Sequence, residues 1–270
     1  MILNPRPPFD WPHLLEWTAS RAVAGLEIVD AGSYRRVVDD GRIAEFASDG
    51  TTVEVRGDVE PQAVRRVLDL DHDPEALAAA FGDDPMLGPR LARAPGIRVP
   101  GAWSGFEIAV RAILGQQVSV AGARRTAAKL VETLGERAIV PAPGLTNRFP
   151  TPAAVAGGPF PGMPRGRERA LRALAGAVRD GLALDPPTDP ADARAALLEL
   201  PGVGPWTAEY VAMRALRDRD AWPGGDLWLR RAAAGADPDA WRPWRAYAAM
   251  LLWQLPLEHD AAREHRNNDP

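Results

Sequence analysis

The residue in this sequence best placed to do chemistry is Asp226. It follows a Trp-Pro-Gly-Gly run in WPGGDLWLRRA and opens a segment with helical periodicity, so the pattern predicts a carboxylate at the start of a helix. The helix dipole favours the ionised form there, and a fixed anion of this kind can stabilise a developing cation or orient an attacking water. A capping aspartate also commonly occupies this position. The two interpretations are compatible.

Three other carboxylates are rivals for a catalytic role: Glu107, Asp192 and Glu209. Each lies within a regular helical pattern, with no loop to aim its side chain into a site. The sequence therefore favours Asp226 as the candidate.

Two aromatic residues precede the aspartate by about twenty positions. Trp206 and Tyr210 are four residues apart, so they share one face of a predicted helix. Aromatic residues at this spacing usually belong to a core. Beside a carboxylate they could instead form an electron-rich wall, which attracts a cationic ring by about 0.5–2 kcal/mol. The spacing alone does not decide between a core and a binding wall.

The aromatic pair belongs to the stretch LPGVGPWTAEYVA, residues 200–212, where one helical pattern stops and another starts at once. Gly202 and Gly204 permit backbone angles closed to other residues and allow close approach of another chain. Pro205 suits the first turn of the second helix, whose unpaired N–H groups form an anion site suited to a phosphate. The alternative is a hairpin that only packs two helices together.

Composition excludes several classes of function. The chain has 270 residues and no cysteine, and its four histidines show no metal-ligand spacing; thiolate zinc, iron–sulfur and cysteine-nucleophile sites are therefore excluded, and a zinc enzyme is not expected. No signal peptide and no apolar run long enough for a membrane span is evident, so a cytoplasmic protein is expected. The net charge of −4 does not by itself indicate a nucleic-acid binder. It does not exclude one either, because affinity depends on the charge of the local binding surface.

The secondary-structure pattern predicts a mainly α protein with an N-terminal α+β domain. Residues 1–80 combine helical segments with four short β-like runs separated by turns, LEIVD, YRRVVDD, RIAEFAS and TTVEVRGDV, which indicates an antiparallel sheet. Strand signals vanish beyond about residue 80, so the remainder is expected to be helical and two-lobed. One lobe would span 105–218, and the other would combine 81–104 with 219–270.

Several arginines and tryptophans have a structural interpretation or a candidate binding role. Arg124 and Arg125 are candidate phosphate contacts. A run of arginines over 165–179 (Arg165, Arg167, Arg169, Arg172 and Arg179) is interpreted as a solvated helix face. Trp11, Trp17 and Trp103 are interpreted as packing residues, and the N-terminal domain as purely structural.

The hairpin followed by PGGDL resembles the signature of the helix-hairpin-helix DNA glycosylases. The segments LNPRPPFDW, FEIAVRAILGQQVSV, FPTP, GMPRGRERALRALA and PWRAYAAMLLW resemble, in order, the family of bacterial 3-methyladenine DNA glycosylase II. The resemblance runs from the first residues to about residue 254, which makes it far more specific than the hairpin alone. It implies an antiparallel-sheet domain followed by a two-lobed helical glycosylase core.

The resemblance also implies roles for individual residues. Asp226 matches the catalytic aspartate, and Trp206, Tyr210 and Trp253 match aromatics of the base pocket. The residues expected to hold DNA are Gly202, Gly204, Thr207, Gln116 and Gln117. Gln117 falls on the wedge position, where the family has an aliphatic residue, and Gln254 replaces a family tyrosine. The backbone carbonyls of Leu198, Leu200 and Val203 would hold a monovalent cation, Na⁺ or K⁺, and no cofactor is required.

The expected function is that of a monofunctional glycosylase that flips alkylated bases out of double-stranded DNA and hydrolyses the N-glycosidic bond. Relatives that also nick the strand carry a lysine where this chain has Trp206, so an intact abasic site is the expected product. A monomer is expected. Two alternatives stay open: a non-catalytic binder of distorted or abasic DNA, and a glycosylase for deaminated or oxidised bases.

Overall fold

An antiparallel sheet forms the N-terminal part of the chain, as the sequence predicted. The computed structural model describes residues 1–253. The sheet has the order β1-β5-β4-β3-β2, and its strands are β1 (Ile2–Leu3), β2 (Glu27–Asp30), β3 (Ser33–Val37), β4 (Ile43–Ser48) and β5 (Val53–Arg56). Side chains alternate across it, so Tyr34, Phe46 and Val55 are buried on one face. The four β-like runs are thus confirmed, and β1 adds a short edge strand.

Helices make up most of the rest of the described chain. Their bounds are α1 (Trp11–Arg21), α2 (Pro61–Val67), α3 (Pro74–Phe81), α4 (Gly88–Arg93), α5 (Gly105–Gly115), α6 (Val120–Leu134), α7 (Pro152–Gly157), α8 (Arg165–Arg179), α9 (Pro190–Leu198), α10 (Pro205–Arg214), α11 (Leu227–Ala232) and α12 (245–253). Aspartate, serine or threonine caps many of the N-termini, as expected for residues that accept from free helical N–H groups. Within residues 1–253, no helix has the length and apolarity to cross a membrane.

The described residues form three hydrophobic cores, two of which meet at helix α10. One core lies under the sheet, where α1 and α2 pack. A second joins α5, α6, α8 and α9, and a third joins α3, α4, α11 and α12. Helix α10 serves both helical cores: Val211 packs in the second, and Met213 packs in the third. The helix that follows the glycine turn therefore lies between the two lobes.

A two-stranded hairpin lies where the sequence predicted no strand. It pairs β6 (Arg137–Ala142) with β7 (Leu145–Asn147). The pairing is short and contains prolines, so its pattern gives little local signal. Tertiary contacts hold it instead: the backbone N–H of Ile139 donates to the Gly41 carbonyl at 2.8 Å, and Leu145 is fully buried.

The long helical pattern over 105–135 is broken between α5 and α6. Gln117 adopts a left-handed backbone conformation with φ 57°, and Ser119 caps α6 by accepting from the Gly122 N–H at 3.1 Å. Non-glycine residues seldom adopt this conformation, and such strain concentrates at functional sites. The break makes an exposed corner of residues 116–119 rather than a continuous helix.

A buried network of ions fastens the sheet to α5. Arg36 on β3 contacts Glu27 at 3.2 Å and Glu107 at 2.9 Å, and Arg111 contacts Glu27 at 2.7 Å and Glu107 at 2.6 Å. Tyr34 also donates to Glu27 at 2.9 Å. Two arginines and two glutamates thus neutralise one another, and of the four only Arg111, 17% exposed, reaches the surface.

Candidate active site

The glycine turn joins α9 to α10. Gly202 has φ 81°, a conformation that costs any other residue about 1–2 kcal/mol. A Cβ at Gly202 would lie 3.0 Å from the Ala170 side chain on α8, whereas a Cβ at Gly204 would meet nothing within 4 Å. Gly202 therefore faces the protein, and Gly204 faces open space at the start of α10. Pro205 lies at the first position of α10, which leaves the following N–H groups free for an anion.

Gln116 connects the corner after α5 to this turn. Its side-chain Nε2 donates to the Gly202 carbonyl at 2.9 Å and to the Thr207 hydroxyl at 3.0 Å. Arg167 on α8 in turn donates to the Gln116 carbonyl at 2.8 Å. Thr207 is only 2% exposed, so its side chain positions the turn and does not present a surface for DNA.

Two glycine variants should separate the structural and binding roles of the turn. Gly202→Ala is expected to lower the free energy of unfolding by about 1–2 kcal/mol, because alanine must adopt the left-handed conformation against α8. Gly204→Ala should leave stability unchanged within about 0.5 kcal/mol, as for ordinary surface substitutions, yet weaken binding to duplex DNA by obstructing the approaching strand. Urea unfolding and fluorescence anisotropy with an abasic duplex measure the two effects. A Gly202→Ala protein as stable as wild type would contradict the account of the turn.

Asp226 lies at the N-cap of α11, across from the glycine turn. Its carboxylate accepts from the Leu229 N–H at 2.9 Å, and the Trp253 indole N–H approaches the same oxygen at 3.4 Å. The preceding Gly225 packs against Trp206, since a Cβ there would lie 3.0 Å from the Trp206 Cβ. The glycine-rich loop thus brings the aspartate against α10, and the cap fixes the direction of its carboxylate.

A cavity of about 280 Å³ opens beside Asp226, close to the lower end of the range for small-ligand pockets. Trp206 and Tyr210 are stacked on one wall with ring centroids 5.4 Å apart, and Tyr210 meets Trp253 edge-on at 6.4 Å. Trp17 packs against Trp253 at 5.5 Å. The four aromatic residues and Asp226 all line this one cavity.

Arginine side chains line the same cavity, and two of them contact its aromatic residues. Arg21 lies over the Trp17 ring, 3.3 Å from its centroid, and Arg214 donates to the Tyr210 hydroxyl at 2.7 Å. No carboxylate of the described chain forms an ion pair with either guanidinium. Arg214 is instead held by the backbone carbonyls of Pro100 and Gly101.

These charges perturb the groups that face the cavity. Burial lowers the pKa of Arg21 to about 10, with Arg214 adding to the effect and Tyr210 and Asp226 opposing it; Arg21 remains cationic at neutral pH. Burial alone would raise the pKa of Tyr210, but Arg214 and Arg21 outweigh it and lower the pKa below its ordinary value. The phenol thus becomes more acidic than a free tyrosine.

Several of these lining residues carry little signal in the sequence. Trp17 was interpreted as packing and the N-terminal domain as structural, yet α1 contributes both Trp17 and Arg21 to the cavity. Arg214 carried no distinguishing signal beyond its place one turn after Tyr210. Trp228, 38% exposed, also lines the cavity, and its place two residues after Asp226 was the one available hint.

The remaining predicted residues lie around the mouth and the turn. Gln117 is exposed next to Val118, which lines the cavity. Arg124 and Arg125 are both exposed, and Arg124 also lines the cavity and donates to the Ala22 carbonyl at 3.0 Å. The residues of the predicted cation site, Leu198, Leu200 and Val203, lie at the end of α9 and in the turn. Gln254 lies outside the described residues.

The arginines of α8 are only partly a solvated face. Arg165 and Arg169 are exposed. Arg172 pairs with Glu168 at 2.9 Å and donates to the carbonyls of Ala156 and Gly158. Together with the contact of Arg167 to the corner after α5, this fixes α8 beneath the glycine turn.

Two of the rival carboxylates are engaged elsewhere. Glu107 lies in the buried ion network, and Glu209 pairs with Arg194 at 2.8 Å while accepting from the Trp222 N–H at 3.0 Å. Asp192 is exposed in the first turn of α9 and does not line the cavity. Among residues 1–253, no group of histidine, aspartate and glutamate side chains forms a metal site.

Comparison with known proteins places the chain in a family. Residues 1–104 match the AlkA N-terminal domain. The chain is 34% identical to DNA-3-methyladenine glycosylase 2 of Escherichia coli, an alignment that covers 93% of this chain and 95% of that protein. The chain belongs to the AlkA family of DNA-3-methyladenine glycosylases. The expectation drawn from its motifs is confirmed.

A second relative is longer than this chain. The chain is 39% identical to a protein of Mycobacterium tuberculosis named as a probable bifunctional transcriptional activator and DNA repair enzyme, AlkA, and the alignment covers 94% of this chain. The chain spans only 56% of that relative's length.

Solved structures support the fold. The 3-methyladenine DNA glycosylase of Archaeoglobus fulgidus superimposes with a TM-score of 0.79 at 23% identity, covering 94% of this chain and 97% of that one. MBOgg1, solved with a low-affinity DNA ligand, gives 0.77 at 19% identity over 96% of each chain. An N-terminal sheet domain followed by a helix-hairpin-helix core is therefore the architecture of this chain, as predicted.

Proposed function

We propose that this chain is a monofunctional DNA glycosylase that removes alkylated bases, such as 3-methyladenine and 7-methylguanine, from duplex DNA and leaves an abasic site. One observation carries the proposal: the carboxylate of Asp226, fixed at the start of α11, borders an aromatic cavity beside the glycine turn. A binder that only grips distorted DNA has no need of a directed carboxylate at such a cavity.

The turn and the cavity divide recognition between backbone and base. A base inside a duplex is out of reach, so the nucleotide must leave the stack, at a cost of a few kcal/mol that is smallest for damaged pairs. The free N–H groups at the start of α10 would hold a phosphate of the bent strand, which fixes its register without reading sequence. The exposed corner at Gln117 would fill the gap in the duplex. The extruded base would then stack against the aromatic wall.

The chemistry follows from the charge that develops on the sugar. An N3- or N7-alkylated purine is already a good leaving group, so its C1′–N bond breaks toward an oxocarbenium-like state. The Asp226 carboxylate would stabilise this positive charge and accept the proton of the water that attacks C1′. Its capping bond to Leu229 and its contact with Trp253 hold the oxygens in place while charge develops.

Release of free bases tests the proposal. The purified protein is incubated with methylated duplex DNA, and the released bases are separated by chromatography. We expect 3-methyladenine and 7-methylguanine in the supernatant, with the DNA strand left intact but cleavable by alkali. Binding to abasic DNA without release of any base would instead identify a non-catalytic binder.

The product should be an abasic site and not a nicked strand. The resemblance implies a lysine at the position of Trp206 in strand-nicking relatives. The only lysine of this chain, Lys129, is on α6 and does not line the cavity. Since a lyase works through a covalent imine on an amine, borohydride should trap no protein–DNA adduct. An adduct band with the wild-type protein would contradict the monofunctional assignment.

The turn also offers ligands for a monovalent cation. The Leu200 carbonyl already accepts from the Val203 N–H at 3.1 Å and keeps a second lone pair. With the carbonyls of Leu198 and Val203 it would form an all-oxygen set suited to Na⁺ or K⁺, helped by the negative end of the α9 dipole. Such an ion would hold the turn rigid while it binds a phosphate.

We further propose that the protein acts as a monomer on damaged duplex DNA in the cytoplasm.

A further inference from the structure

We propose that Tyr210 is a general acid that extends the reaction to neutral damaged bases, with the deaminated purine hypoxanthine as its representative substrate. The inference rests on the proposed glycosylase function and adds a catalytic residue to it. Cationic alkylated bases leave unaided, whereas a neutral base needs a proton as its bond to the sugar breaks.

The contact of Tyr210 with Arg214 leaves the phenolic proton free for another acceptor. The Arg214 guanidinium donates to the phenolic oxygen at 2.7 Å, and the charge of the nearby Arg21 helps to lower the pKa of the phenol. A guanidinium can only donate, so the Arg214 contact occupies a lone pair of the phenol. The tyrosine must therefore donate its own hydrogen elsewhere, and its ring lines the base cavity.

The charges at the cavity suit this acid. Arg21, Arg111, Arg124 and Arg214 face it from four helices, and Asp226 is the one carboxylate among the described residues that line it. Arg111 is neutralised by its glutamates, but Arg21 and Arg214 are not, so they stabilise a tyrosinate. The lowered pKa of Tyr210 agrees with this arrangement. Arg21 and Arg214 also repel a cationic base. Cation–π attraction to the aromatic residues therefore does not by itself explain which bases the cavity would bind.

The proton and electron balance closes without a cofactor. The C1′–N bond breaks and its electron pair stays on the base. The Tyr210 hydroxyl gives its proton to a ring nitrogen of the departing base, which leaves neutral. Water forms the new bond to C1′ and gives its proton to Asp226. Solvent then carries a proton from Asp226 to the tyrosinate, which restores both groups.

Single-turnover excision from two duplexes tests the assignment, one containing hypoxanthine and the other 7-methylguanine. Tyr210→Phe keeps the ring but removes the proton, so the hypoxanthine rate should fall at least about tenfold more than the 7-methylguanine rate. Trp206→Phe is the matched control: it weakens the wall but keeps the hydroxyl, and both rates should fall together. Arg21→Gln should move the ratio in the same direction as Tyr210→Phe and serves if that variant does not fold.

The outcomes separate this inference from the proposed function. A parallel loss of both activities in Tyr210→Phe, or wild-type release of 7-methylguanine without hypoxanthine, would overturn the general acid and leave the glycosylase standing. Release of neither base by the wild-type protein would overturn both proposals. A selective loss of hypoxanthine excision would establish the acid.

Discussion

Asp226→Asn is expected to lower base release by about a thousandfold or more while leaving the fold intact. Removing one electrostatic group aimed at developing charge costs about 10²–10³ in rate, and this variant also removes the proton acceptor for water. Asparagine caps a helix about as well as aspartate, so α11 should keep its bond to Leu229 and the free energy of unfolding should change little.

A matched variant tests whether the loss is specific. Asp189 caps α9 in the same way, accepting from the Ala191 N–H at 2.7 Å, but it does not line the cavity. Asp189→Asn should keep full activity on methylated DNA. Chromatography of released bases and urea unfolding of both variants provide the comparison. Substantial base release by Asp226→Asn would remove this residue from the mechanism.

The largest effect on stability is expected from the buried ion network. Glu107→Leu would leave Arg36, itself 1% exposed, and Arg111 sharing the single carboxylate of Glu27. Breaking a buried pair from one side costs about 3–5 kcal/mol, out of a total stability of about 5–15 kcal/mol for an ordinary domain. Urea unfolding should show this loss as a large drop in midpoint.

An exposed pair supplies the control. Glu45 and Arg56 approach at 3.7 Å on the surface of the sheet, where such pairs contribute about 0–1 kcal/mol. Glu45→Gln should therefore leave the midpoint nearly unchanged. If Glu107→Leu destabilised the protein no more than Glu45→Gln, the network would not be what fastens the sheet to α5.

The sequence predicted those parts of the molecule that local signals encode. The glycines and proline of the turn, the cap at Asp226 and the alternating strands of the sheet each follow from nearby residues. Trp206 and Tyr210 were placed on one face by spacing alone, although only the fold brings Trp253 against them.

Contacts between distant segments could not be predicted in this way. Trp17 has the pattern of an ordinary core residue, and no local feature reveals that α1 places it against Trp253. The hairpin over 137–147 depends on the Gly41 carbonyl and on a bridge between Gly25 and Leu145. Arg21 and Arg214, which have no carboxylate ion-pair partner among the described residues, likewise come together at the cavity only because the fold packs α1 near α10.

Binding to two sugar analogues tests the central claim most directly. A duplex with a pyrrolidinium ring in place of the damaged nucleoside mimics the cationic sugar, and one with a neutral tetrahydrofuran ring does not. The wild-type protein should bind the cationic ring tighter by about 10²-fold or more, as transition-state mimics do, and Asp226→Asn should lose that preference. An Asp226→Asn protein that still preferred the cationic ring as strongly as wild type would contradict a carboxylate facing the sugar.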